Sequence, residues 1–329
     1  MSESKEVFFG RIKERHIQLE EMKKFYELCQ NGMAISGVTE EEQMDLINSL
    51  ENDNVEHSND MVIEMILNFV MKISKEEKLL QIFKKIRVAN IEDNSIVGRS
   101  YPKYFDNSYY IEIGRKMERQ IRLLSDIFAA VLMYNEEPTF LEKIIIKELL
   151  KANLQRFKED KEYNDDYGEV QLHMMYCDKL MENGFTDKYI AYAREIHEVA
   201  LAFLIGHEVG HHYLGHTDSE NTVQEDNKIK ELKADCYGID FAFQYLKSAY
   251  PNEEERYRIH QLAAVYIPLV VSVKFCDNIF NEGNTHPSVI ERLLGVQLKL
   301  ERILDDKGFN EVQKYIANLY KTIEFPITC

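Results

Sequence analysis

Two histidines and a glutamate set inside an apolar helical stretch constrain this chain more than any other feature. Residues 200–213 read ALAFLIGHEVGHHY. His207 and His211 stand four positions apart, so on a helix both fall on one face and reach a single point. Glu208 follows His207 and projects beside that face. The pattern is HExxH, in which the two imidazoles ligate zinc and the glutamate is general base toward water. By itself the pentapeptide also arises by chance, on a helix whose histidines are polar-face or capping residues. The eight residues before it are nearly all apolar. Burying two imidazoles and a carboxylate there without partners costs on the order of several kcal/mol. A zinc ion removes that cost.

A third protein ligand is expected downstream. Glu231 lies twenty positions after His211 (231 − 211), on the next expected helix. Asp235, one turn further, faces the same way and can accept the spare ring N–H of a ligand histidine, fixing its tautomer. The ordinary alternative for both acids is a solvated helix face. Ala234, Tyr237, Ile239 and Phe241 instead mark this helix as partly buried. His212 points about 100° away from His211, which disfavours ligation. His216 falls one position short of the third histidine in HExxHxxGxxH, where this chain has Thr217, so His216 is a minor ligand candidate or a surface residue.

Around the motif the periodicity is mostly helical. Helices are expected over 11–30, 60–86, 115–134, 138–158, 170–182, 187–213, 224–249, 253–280 and 286–305, with polar loops at 49–59 and 159–170. Residues 86–91 and 109–113 are short runs rich in β-branched and aromatic side chains. They flank a turn-rich segment containing Asp93, Asn94, Gly98, Pro102, Asp106 and Asn107, and two or three strands fit best there. The expected fold is predominantly helical α+β with a small sheet.

The charge excludes some partners. With 57 acidic against 40 basic residues the net charge is −17, a field that repels nucleic acid and anionic lipid. Five scattered cysteines (Cys29, Cys177, Cys236, Cys276, Cys329), with no CxxC pair, suit free thiols in a reducing cytoplasm. The N-terminus has no apolar core of signal-peptide type. The longest apolar run, 262–273, is too short to span a bilayer, which takes about 20 residues, and contains Pro268. A cytoplasmic protein without a membrane span is expected.

HExxH followed by Glu231-Leu-Lys-Ala-Asp235, and later by Thr285-His286-Pro287-Ser-Val-Ile-Glu291-Arg292, resembles the gluzincin zinc peptidases. The likeness is closest to the family of the CAAX prenyl proteases and HtpX-type peptidases, and it covers roughly residues 86–305. It implies a zincin-like catalytic domain and an oxyanion-stabilising role for His286. It also implies an edge strand above the cleft, placed at Tyr109–Ile113, which would hold an extended peptide. Without the resemblance, His286 reads as a helix-start residue, with Ser288 capping and Glu291 and Arg292 pairing structurally. Phage-exclusion peptidases with HExxH are a second resemblance, one of general character.

The domains expected are an N-terminal helical region (1–85), a peptidase domain (86–305) with a helical insertion at about 135–190, and a C-terminal helix and tail (306–329). The function expected is a zinc-dependent endopeptidase acting on a protein or peptide substrate, with metal ligands His207, His211 and Glu231. Glu208 and His286 would be catalytic, and Asp235 an outer-shell partner. The alternatives are a non-catalytic binding protein whose zinc is closed off by His216 or His286, a toxin-like phage-exclusion peptidase with one host target, and an amidase of small substrates.

Overall fold

The computed structural model describes residues 58–325 apart from 59, 92–97, 102–108, 137, 160–184, 219–225, 252–258, 260 and 275–285. The helices expected at 11–30 and 170–182 lie outside the described residues. Elsewhere the fold is helical α+β with one three-stranded sheet. No helix of the described residues is long and apolar enough to cross a membrane.

The expected helix at 60–86 is two helices, α1 (Met61–Ile73) and α2 (Glu77–Phe83), parted at Ser74. Asp60 starts α1 by accepting from the Val62 and Ile63 amides at 3.0 and 3.2 Å, the usual work of an N-cap carboxylate. Strand β1 (Ile86–Ile91) follows, then β2 (Gly98–Tyr101) and β3 (Tyr109–Gly114). The sheet order is β1-β3-β2, with β3 parallel to β1 and antiparallel to β2. Tyr109–Ile113 is therefore the central strand, not the edge strand that the resemblance suggested. Its apolar residues are buried on both faces, which suits an interior position. The short, polar β2 takes the edge, paired on one side among the described residues.

Helix α3 (Arg115–Asn135) leaves β3 directly, and α4 (Phe140–Glu159) packs on it. Helix α5 (Phe185–Tyr213) is the longest among the described residues, with Ile196, Val199, Ala200, Ala202, Ile205 and Val209 wholly buried. It forms the axis of the molecule, touching α1, α2, α3, β2 and α6 (Asn227–Ala249). The α5–α6 crossing is close because glycines meet there. A Cβ on Gly238 would lie 2.8 Å from the Phe203 carbonyl, and one on Gly206 would lie 2.5 Å from Phe241 Cβ.

The expected helix at 253–280 is described only in part. A 3-10 turn (Ala263–Tyr266) leads into the short α7 (Ile267–Lys274). Pro268 has no N–H to give and is accommodated in the first turn. Helices α8 (Val289–Ile303) and α9 (Asp306–Thr322) complete the fold. Ser288 and Glu291 form a reciprocal capping box at the start of α8, which fixes where His286 and Arg292 stand.

Candidate functional site

The motif histidines project from the last turns of α5 toward α6. His207 Nε2 and His211 Nε2 are 3.2 Å apart. Glu231, from the first turns of α6, places Oε2 3.4 Å from His207 Nε2 and Oε1 3.5 Å from His211 Nε2. Among the described residues these three form the one group of acids, histidines or cysteines with donor atoms mutually within 4.8 Å. Zinc bonds of about 2.0–2.1 Å in a tetrahedron put neighbouring donors about 3.3–3.4 Å apart. The two imidazole nitrogens stand near that spacing, and each faces a different oxygen of Glu231 at a similar distance. The donor set of two imidazoles and a carboxylate suits zinc chemically as well.

Outer contacts orient the two histidines. His207 Nδ1 lies 2.8 Å from Asp235 Oδ1, so Asp235 stands where an outer-shell carboxylate would. Arg292 grips that carboxylate twice, from Nε to Oδ2 at 2.8 Å and from Nη2 to Oδ1 at 2.6 Å. The sequence suggested only structural pairing for Arg292, and its proximity to Asp235 had no local signal, since 57 residues separate them. His211 Nδ1 faces His216 Nδ1 at 3.1 Å. His212 turns away from the cluster, as helical geometry requires. Its ring lies 3.3 Å from the Tyr110 carbonyl of β3 and 2.9 Å from Thr217 Oγ1, tying the end of α5 to the sheet.

Glu208 is buried against β2. Ser100 Oγ donates to Glu208 Oε2 at 2.5 Å and stands 2.9 Å from the Glu208 carbonyl. Gly98 covers the other carboxylate oxygen, where a Cβ would come within 2.6 Å of Oε1. Neither residue could be found from the sequence, because both lie in what reads as a turn-rich segment. His286 stands at the rim, its side chain 60% exposed, with Nε2 3.6 Å from Glu231 Oε1.

The buried charges set one another's protonation. Burial alone would lower His207, but hydrogen bonds and charge from Asp235 and Glu231 outweigh it and raise the imidazole to about 9. Burial and the neighbouring His207 hold His211 down at about 3. Burial would raise Glu231, yet His207, His211 and Arg292 bring it to about 2. Asp235 is likewise depressed against its burial, chiefly by Arg292. Glu208 is pushed up by burial, with His207 and Ser100 opposing, which is the direction a general base working near neutral pH requires. Without a metal the cluster keeps a proton on His207 between two carboxylates, and a cation can take the place of that proton.

These groups open into a cleft of about 480 Å³ bounded by β2, α5, α6, α7 and His286. Its lining also includes the apolar side chains Met117, Phe203, Leu204, Pro268 and Leu269. The cleft thus gathers a buried carboxylate, two paired imidazoles and a further acidic side chain. The chain is a member of the Peptidase U49 family, whose model matches residues 135–311, more than half of its length. That span includes His207, Glu208, His211, Glu231, Asp235, His286 and Arg292, and leaves out the sheet. No curated protein and no solved structure matches the chain. The peptidase class agrees with the motifs. The narrower likeness to the CAAX prenyl proteases and HtpX-type peptidases rests on those motifs alone.

Proposed function

We propose that this peptidase is a zinc-dependent endopeptidase acting on a protein or peptide. The observation that carries the reading is the cluster of donors, with His207 and His211 Nε2 3.2 Å apart and each within 3.5 Å of a Glu231 carboxylate oxygen. His207, His211 and Glu231 would hold the ion. A bound zinc supplies Lewis acidity, lowering the pKa of water to about 7 and polarising a carbonyl. Three protein donors, with no fourth in the cluster among the described residues, favour a catalytic over a closed structural site.

The rest of the chemistry belongs to the chain itself. Glu208 takes the proton of the attacking water and returns it to the leaving amine. Asp235, braced by Arg292, keeps the His207 ring in one tautomer with Nε2 turned to the cluster. His286, at the rim, donates toward the carbonyl oxygen as it gains negative charge. The side of β2 left unpaired among the described residues offers main-chain groups to an extended peptide lying over Glu208, and the apolar side chains lining the cleft receive a side chain.

Metal analysis of the purified chain beside Glu231→Ala, with cleavage by Glu208→Gln, tests this. About one zinc per chain is expected in the wild type, greatly weakened by Glu231→Ala. In Glu208→Gln the zinc should remain while peptide cleavage disappears. A wild type that takes up no zinc on reconstitution, or a Glu208→Gln variant that still cleaves, defeats the reading.

A further inference from the structure

Helix α5 ends in a cap that brings the chain back over one of its own motif histidines. The His216 amide donates to the His211 carbonyl at 2.8 Å, and the Gly215 amide donates to the His212 carbonyl at 3.1 Å. Gly215 adopts φ 75°. This pair of bonds around a left-handed residue is the Schellman arrangement, and glycine takes that conformation without the steric cost of a Cβ. The result is local and obligatory: the residue after the glycine lies over the residue five before it.

Here those two residues are both histidines. Their rings meet at an angle of 66°, with centroids 5.2 Å apart, and the two Nδ1 atoms are 3.1 Å apart. His211 turns Nε2 toward His207 and Glu231, so Nδ1 is the nitrogen that needs an outer acceptor. His207 has the Asp235 carboxylate in that place, and His211 has His216. His216 is not one of the three clustered donors.

We propose that His216 is a positioning residue of the metal site. Its Nδ1 accepts the Nδ1–H of His211, which fixes the His211 tautomer and aims the Nε2 lone pair at the ion. The inference rests on the zinc reading above. It gives the two histidines different outer partners, a carboxylate braced by arginine for His207 and an imidazole for His211. Gly215 belongs to the same device, because the turn it permits delivers His216.

Zinc affinity of the full chain, measured by chelator competition at one pH, tests the proposal without need of a substrate. The variants are His216→Ala, His216→Asn and, for scale, His211→Ala. Asparagine keeps an acceptor where His216 Nδ1 stands. Removing an outer partner is expected to weaken zinc about 10–100-fold in His216→Ala, with His216→Asn close to the wild type. The metal-free variants should melt as the wild type does. Unchanged zinc affinity in His216→Ala overturns the proposal. So does a loss in both His216 variants as complete as in His211→Ala, since His216 would then be a fourth ligand. A wild type that binds no zinc overturns the parent reading as well, and that failure shows before any variant is compared.

Discussion

Glu208 meets β2 through two contacts that do different things. Ser100 supplies a hydrogen bond to one carboxylate oxygen, whereas Gly98 supplies only the lack of a side chain beside the other. Losing the hydroxyl leaves the carboxylate in place with more freedom. Adding a methyl at Gly98 forces a buried carboxylate to move, because the backbone there is held by pairing with Ile113. A displacement of about 1 Å at a catalytic group can cost about 100-fold in rate. Gly98→Ala is therefore expected to lower kcat by roughly that factor with little change in KM, and Ser100→Ala to lower it less. Zinc should stay bound in both, since Glu208 is not among the donors. Steady-state kinetics on any peptide the wild type cleaves would check this, and wild-type kcat in Gly98→Ala would show that β2 does not hold the base. The two residues also mark a limit of sequence reading. The HExxH side chains can be grouped from spacing because one helix fixes their geometry, while Ser100 reaches Glu208 across 108 positions of chain. Arg292 was visible as part of a motif, yet its pair of hydrogen bonds to Asp235 depends on how α8 crosses α6.

At the scale of elements, the site depends on how closely α6 approaches α5. A Cβ on Gly238 would meet the Phe203 carbonyl at 2.8 Å and the His207 amide at 3.1 Å, and both are backbone atoms of α5 that cannot swing aside. Gly238→Ala must push the helices apart, at a cost of about 1–3 kcal/mol for overpacking. It should also draw Glu231 and Asp235 away from His207, so zinc weakens along with thermal stability. Gly295 on α8 is the matched control, because a Cβ there meets only Leu232 Cδ2, at 3.4 Å. Gly295→Ala should be neutral or gain up to about 1 kcal/mol of helix propensity. Equal melting temperatures for the two variants would show that the crossing tolerates the extra carbon. The helices themselves were legible, since α3, α4, α5, α6 and α8 begin and end within a few residues of where periodicity puts them. The strand order was not. Periodicity reports which faces are apolar, and Tyr109–Ile113 reads the same at a sheet's edge as at its centre. Its central place comes from β2, four residues inside a segment rich in turn formers. The break at Ser74 and the 3-10 turn before Pro268 escaped for a related reason, as apolar spacing runs through both.

For the molecule as a whole, the position of the donors decides how much of the fold a metal ion supports. They sit at one end of α5, while the buried part of that helix from Ile196 to Val209 is packed by α1, α3 and α6 without their help. A zinc finger unfolds when its metal is removed because it has little else to bury. This chain has a core running from Ile63 to Ile323, so chelation should remove only the binding contribution. At free zinc about 100 times the dissociation constant, that contribution is about 2.7 kcal/mol. With an unfolding entropy of about 2.1 cal/mol/K per residue, the melting temperature of a chain this long falls by about 4 °C. Calorimetry with and without a chelator should show that modest shift, with the far-ultraviolet circular dichroism of the native state unchanged. Loss of helical signal on chelation at 25 °C would instead mean that the ion is structural, and would count against an open catalytic position. A shift that is present in the wild type, smaller in His216→Ala and absent in Glu231→Ala would order the three by their part in holding the ion.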